Sequence, residues 1–275
     1  LAGAGLQTTG LAFGGLVLPG PGAQSSTEEY NGSSWAAGGA LSQKRYSLAG
    51  CGTQIAALAI GGADYPGLSR KTNTEEYNGS SWTAGGALGT ATYSGGAAGT
   101  QTAGLYFSGS VSPGAPGRTA TTQEYDGTSW GPGGSMTTGR TVLGNAGTQT
   151  AALGFGGSAS TGITNVTEEY DGTSWTAGGN LNNGRALAGC GTQTAALGFG
   201  GNSPLLSPTI AALTEQYDGT SWTNSTNMAT GRYGLAGTGI QTTALAFGGN
   251  TGSDSNITEE FTGAFLATQT IDTTT

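Results

Sequence analysis

Among the 275 residues of the chain there is no histidine. That excludes metal sites built on imidazole ligands, and it excludes both Ser-His-Asp and Cys-His nucleophilic catalysis. Charge is scarce as well: 8 Lys and Arg face 16 Asp and Glu, together 9% of the chain, for a net charge of -8. Sequence-independent nucleic-acid binding needs clustered Lys and Arg to displace counterions from phosphates, and no such cluster exists. No apolar run reaches the length of a transmembrane helix, and no charged segment leading into an apolar core marks a signal peptide. Neither nucleic acid nor membrane insertion is therefore expected.

What the chain has in abundance is glycine, 55 residues, arranged with a period. The stretch TEEYDGTSWTAGGNL at 167–181 recurs in near-copies, and its tryptophan returns at Trp35, Trp82, Trp130, Trp175 and Trp222, spaced 45 to 48 residues apart. That spacing suits one propeller blade per repeat. Each unit reads as four strand-length runs separated by Gly, Asn and Asp, with no helical apolar period. In the fifth unit these runs are 185–190, 194–199, 213–217 and 221–223. Asn-Gly or Asp-Gly falls between the tyrosine run and the tryptophan run, where it favours a tight hairpin with positive φ. The Gly-Thr-Gln step is expected to turn the first run into the second.

Bulk grows along each unit, from Gly and Ala in the first run to Tyr in the third and Trp in the fourth. Sheets that converge on an axis need small residues inside and large ones outside, so the gradient predicts a ring. The expected fold is all-β: a six-bladed β-propeller of four-stranded antiparallel meanders, occupying 1–275 as a single domain. The blades are placed at about 1–44, 45–91, 92–139, 140–184, 185–231 and 232–275. Unit six lacks tryptophan and offers Phe265 and Leu266 before a Thr-rich tail. The chain opens at Leu1 already inside a repeat, and is expected to be a processed chain or part of a longer one.

Gly200-Gly201, Tyr217-Asp218, Trp222 and Arg232, with their counterparts in the other units, resemble the kelch-repeat β-propellers, a group that includes the central domain of galactose oxidase. Three positions depart from that pattern: Thr92 stands where an Arg is expected, Ser108 replaces the first Gly after Phe107, and unit six has no Trp. The resemblance implies the propeller. It does not bring the copper chemistry of galactose oxidase, because the imidazole ligands are missing. No cofactor and no metal are expected.

The repeated acids Glu28-Glu29, Glu75-Glu76, Glu168-Glu169 and Glu259-Glu260, with Glu124 and Glu215, suggest calcium binding or acid–base work in isolation. Arg45, Arg140, Arg185 and Arg232 recur with the same period, however, so structural pairing within the blade is the expected use. Cys51 and Cys190 fall at one repeat position in opposite units and are expected to be small buried fillers without a disulfide.

The segments between the second and third runs do not repeat: 16–26, 63–73, 110–121, 158–166, 202–213 and 250–257. Meander topology sends all six to one face, where variable loops on a rigid scaffold fit recognition, although solvated loops also vary freely. Tyr65, Arg70, Lys71 and Arg118 are the candidate binding residues there. The expected function is a non-enzymatic binding or adhesion module, extracellular or on a virion surface, whose partner is a cell-surface glycan or protein. Gly/Thr-rich kelch-like arrays of this kind resemble those of microbial and phage surface proteins. The alternatives are a structural building block that contacts neighbouring subunits of a virion, fibre or shell, and, third, a carboxylate-dependent glycan-active enzyme using a non-repeated acid such as Asp64 or Asp254.

Overall fold

A computed structural model describes residues 1–112, 117–206, 209–263 and, as a strand, 265–270. The Phe265 and Leu266 side chains, the Thr-rich end of the chain at 271–275, and parts of two expected recognition loops, 113–116 and 207–208, lie outside the described residues.

Among the described residues there are no α-helices and six four-stranded antiparallel sheets, each a meander in chain order. The first strands are Ala2–Leu6, Ala49–Thr53, Gly96–Gly99, Gly144–Gly147, Ala186–Gly191 and Ala236–Ile240. Each packs against the first strand of the next sheet, and the sixth meets the first, so the sheets form a closed ring around an axis. The protein is all-β with a propeller architecture.

The glycines of the first strands allow this crowding. A side chain on Gly189 would stand 2.3 Å from the Phe155 ring of the preceding blade, and one on Gly237 would stand 2.1 Å from Phe199. Each of these phenyl rings therefore lies directly on the backbone of the next inner strand, a contact that any Cβ would block. Alternation along Ala196–Asn202 matches the expected two-sided packing. Leu197 and Phe199 join Ala244 and Ala246 of blade six, whereas Ala196 packs with blade four.

The tryptophans close the wedge from the outside by reaching backwards. Trp175 of blade four packs on Phe107 of blade three at 4.8 Å between ring centroids and on its own Tyr170 at 5.0 Å. Its indole N–H donates to Thr122 Oγ1 of blade three at 2.9 Å. The same backward bond runs from Trp35 to Thr258, Trp82 to Thr27, Trp130 to Thr74 and Trp222 to Thr167.

The Gly-Thr-Gln step makes the expected turn and also does something that the turn alone did not suggest. Its glutamine amide crosses to the previous blade and donates to two backbone carbonyls, as Gln149 does to Gly104 (3.1 Å) and Tyr125 (2.7 Å). Gln54, Gln101, Gln193 and Gln241 repeat this pair of bonds. Gln7 closes the ring by donating to the Phe261 carbonyl at 2.9 Å.

The variable segments, expected as loops, carry extended pairing of their own. Leu16–Val17 pairs with Gly22–Ala23, and Arg140–Thr141, Ser158–Ala159 and Gly162–Ile163 form a small three-stranded sheet. Single bridges tie Tyr46 to Ala63, Tyr93 to Ser110 and Tyr233 to Asn250. The cause is the Gly-Gly corner. Gly200 and Gly201 both have positive φ, and the Gly201 N–H donates to the Arg232 carbonyl of the next blade at 2.6 Å, so the returning chain runs beside the inter-blade link.

Trp175→Ala removes an indole packed across a blade seam together with its hydrogen bond. It is expected to cost about 3–5 kcal/mol of unfolding free energy in urea denaturation.

Candidate functional site

The first strands begin, and the second strands end, on the same side of the ring, so the links between blades and the variable segments share one face. Tyr65 and Tyr46 meet on it edge to face, their ring centroids 6.4 Å apart. Beside them the Arg70 guanidinium carbon lies 5.5 Å from the Tyr93 ring centroid, within cation–π range. Burial pushes the Tyr46 phenol above its ordinary value, and the neighbouring Arg70 opposes that shift. Two blade links and one variable segment thus build a single aromatic and cationic patch.

The structure brings together three of the four residues singled out from the sequence. Tyr65 is exposed, and Arg70 is its neighbour in the patch. Lys71 pairs with Asp64 at 3.1 Å, and Asp64 also accepts the Ser69 N–H at 2.6 Å, so this acid shapes its own loop. Arg118 belongs to the next variable segment and reaches blade four, donating to Ser158 Oγ at 2.9 Å and Thr141 Oγ1 at 3.4 Å. Asp254, the other non-repeated acid considered for catalysis, accepts from the Leu18 N–H (2.8 Å) and from Asn250 (3.2 Å).

Sequence reasoning missed Tyr46, Tyr93 and Tyr233, which all come from inter-blade links. A signal was present: Arg45-Tyr46-Ser47, Thr92-Tyr93-Ser94 and Arg232-Tyr233-Gly234 set a tyrosine directly after the repeat arginine position.

Two cavities open on this face. One lies on the ring axis, about 160 Å³ in volume and lined by backbone, leucines, Ser47 and Ser94. The other, about 510 Å³, lies among blades six, one and two, and Glu28, Gln24, Tyr46, Tyr233 and Asp254 contribute to its wall. Ordinary small-molecule sites run from about 300 to 1,000 Å³, so the second has room for a ligand group and the axial one does not.

The repeated acids are almost wholly engaged. The first of each pair holds a fully buried arginine: Arg45 with Glu75 (2.7 Å), Arg140 with Glu168 (2.9 Å), Arg232 with Glu259 (3.0 Å) and Arg185 with Glu215. Burial pushes each of these guanidinium groups below its ordinary value, and the partner carboxylate opposes the shift. The second acid accepts from a tyrosine of the following blade, as in Tyr30 to Glu260 (2.8 Å), Tyr125 to Glu76 and Tyr170 to Glu124 (both 2.6 Å), and Tyr77 to Glu29 and Tyr217 to Glu169 (both 2.5 Å). Glu28 alone among them has no partner of either kind in the described residues.

Blade three shows why the pairing is structural. Removing one member of a buried ion pair costs about 3–5 kcal/mol because the other charge stays behind unpaired. Here both change, since Thr92 replaces the arginine and Gln123 replaces its acid. Gly95 stands where the other blades have leucine, and the buried Tyr106 side chain reaches into that space. Cys51 and Cys190 are buried and free, and burial pushes both thiols up to about 12.

Ring, meanders and seam bonds together define a β-propeller with a single decorated face. Among solved structures the chain is similar to the structure of YjhT, with a TM-score of 0.79 over 98% of this chain and 96% of that one. Identity between the two is 13%, so the likeness establishes the fold alone. No protein-family model and no curated protein sequence matches the chain.

Burial and the adjoining glutamates push the phenols of Tyr125, Tyr170 and Tyr217 up to about 12. Because the folded values lie above the unfolded value of about 10, the stability they contribute is complete below pH 10 and lost as pH rises towards 12. The two raised thiols add a decline of the same sign from about pH 9. Urea unfolding at stepped pH is expected to show stability falling through this window, and Tyr170→Phe is expected to make the fall shallower.

Proposed function

We propose that the chain is a non-enzymatic binding module, a kelch-like propeller that works outside the cell or on a virion surface and docks a cell-surface glycan or protein through its variable face. The observation that carries this reading is the patch of Tyr46, Tyr65, Arg70 and Tyr93. Phenol rings offer flat apolar area at low conformational cost together with a hydroxyl, a combination that stacks on the C–H face of a sugar ring or on a partner's side chains. Their support is rigid, because two of the four tyrosine and arginine positions sit on links anchored by buried arginine or threonine and bridged to the adjacent segment. The acids named for the third reading, a carboxylate-dependent enzyme, already hold loop contacts: Asp64 accepts from the Ser69 N–H and Lys71, and Asp254 from the Leu18 N–H and Asn250.

A second reading is a building block that touches neighbouring subunits. It draws on Leu6, Ile55 and Ile240, exposed apolar residues at the turns between the first two strands of blades one, two and six. Those turns lie on the side opposite the tyrosine patch.

A glycan-array screen followed by titration tests the first reading. Tyr65→Ala and Arg70→Ala are each expected to weaken the selected ligand at least tenfold without altering the Tm. Unchanged affinity in both variants contradicts a role for the patch. Self-association abolished by Ile55→Glu, with no ligand found on the array, favours the second reading.

A further inference from the structure

Four blades display how an arginine residue is seated in this fold. The guanidinium of Arg140 meets the Glu168 carboxylate (2.9 Å), the Gly156 carbonyl (3.1 Å) and the Val166 carbonyl (2.6 Å). Arg232 uses the equivalent Glu259, Gly248 and Ile257, and Arg45 uses Glu75, Gly61 and Asn73. Arg185 reaches Glu215, Gly200 and Leu213 through different nitrogens. The backbone of the same residue is held too. Its carbonyl accepts the N–H of the second corner glycine of the preceding blade, from Gly15 to Arg45 (2.8 Å), Gly157 to Arg185 (2.8 Å) and Gly201 to Arg232 (2.6 Å).

Blade one carries every acceptor of this seat. By position in the repeat they are Gly14, Ser26 and Glu28, and all three border the cavity of about 510 Å³ between blades six and one. Gly14 and Ser26 are joined by the same N–H to carbonyl bond, 3.0 Å, that joins Gly61 to Asn73 at 2.9 Å. Gly249, the corner glycine that would hold the carbonyl of the seated residue, lines the same cavity, and no backbone acceptor among the described residues takes its N–H. The seat thus offers one carboxylate, two carbonyls and one N–H donor. That set is complementary to a guanidinium and to the peptide carbonyl of the residue that bears it, and a lysine could not satisfy both carbonyls and the carboxylate through one ammonium in the same planar fork. Burial holds the Glu28 carboxyl above its ordinary value, as expected for an acid awaiting a counter-charge.

We propose that the cavity beside Glu28 is a receptor for one peptide-borne arginine, seated as Arg45, Arg140, Arg185 and Arg232 are seated in their own blades. The arginine comes either from chain ahead of Leu1 or from another polypeptide, and the recognition chemistry is the same in both cases. This inference rests on the blade-one seat and not on Tyr65 or Arg70, although Tyr46 borders both the patch and the cavity; Glu28→Gln is expected to leave a ligand held by Tyr65 and Arg70 bound as before.

Two measurements test it. In the first, the 275-residue chain is titrated calorimetrically with acetyl-Arg-Tyr-Ser-amide, the sequence of residues 45–47, at pH 8. Burial lowers the Leu1 amine to about 6, so at that pH it is uncharged and does not compete for Glu28. In the second, Arg-Tyr-Ser is added to the chain directly ahead of Leu1, and the Tm is compared with and without Glu28→Gln. Saturable binding that weakens at least tenfold in Glu28→Gln, and equally when lysine replaces the peptide arginine, supports an arginine supplied by another polypeptide. A rise in Tm of the extended chain that Glu28→Gln abolishes, with loss of peptide binding, supports the chain's own upstream arginine. Peptide binding indifferent to Glu28, or the absence of both peptide binding and a Glu28-dependent rise in Tm, overturns the proposal.

Discussion

The seams between neighbouring blades are held by side chains that reach back to satisfy polar groups of the blade before. In four seams the glutamine amide takes two carbonyls, the tyrosine hydroxyl finds a glutamate, and the indole N–H finds a threonine hydroxyl, as between blades three and four. Between blades five and six Gln241 acts without a tyrosine or tryptophan, and between six and one Gln7 takes one carbonyl. In water such bonds are worth little net, but once the groups are buried an unmade one costs about 1–3 kcal/mol. The seams must therefore form together or not at all. Gly and Ala in the inner strands serve that requirement by letting phenyl rings lie on bare backbone, which brings the polar groups of adjacent sheets within bonding distance.

This constraint accounts for the composition. A repeat that commits its arginines and nearly all of its paired acids to the interior has few charges left, and the described surface is covered mainly by Thr, Ser, Asn and Gly. It also accounts for the concerted departures in blade three. Thr92, Gln123, Gly95 and Tyr106 change as a set because each alone would leave a buried charge or a void. At Ser108 the backbone keeps the left-handed φ of the glycine it replaces, 64°, and the hydroxyl, within reach of the Arg140 (2.8 Å) and Thr119 (3.0 Å) carbonyls for its one proton, accepts the Arg140 N–H.

The repeat period, the Asp-Gly hairpins, the small-to-large gradient and the pairing of repeat arginines with repeat glutamates could all be read from sequence, because each is local or periodic. What escaped reading depends on which unit a side chain reaches. Gln149 looks like a turn residue until the carbonyls of blade three are beside it. Tyr46 and Tyr93 look like spacers after the repeat arginine position until the ring sets them against Tyr65 and Arg70. That Glu28 has no arginine or tyrosine partner among the described residues was hidden among ten similar acids, and only the partners of the other nine single it out. Where the six variable segments pair with the links is likewise invisible in the segments themselves, since the pairing is imposed by the Gly-Gly corners.

In a closed ring the seam between blades six and one carries load as the other seams do. Replacing each seam glutamine by alanine in turn, Gln7, Gln54, Gln101, Gln149, Gln193 and Gln241, and measuring unfolding free energy tests it most directly. A closed ring predicts that Gln7→Ala destabilises by about 1–3 kcal/mol, as Gln149→Ala does, with one cooperative transition throughout. An open array, in which Gln7→Ala costs nothing and unfolding proceeds blade by blade, would rule out ring closure.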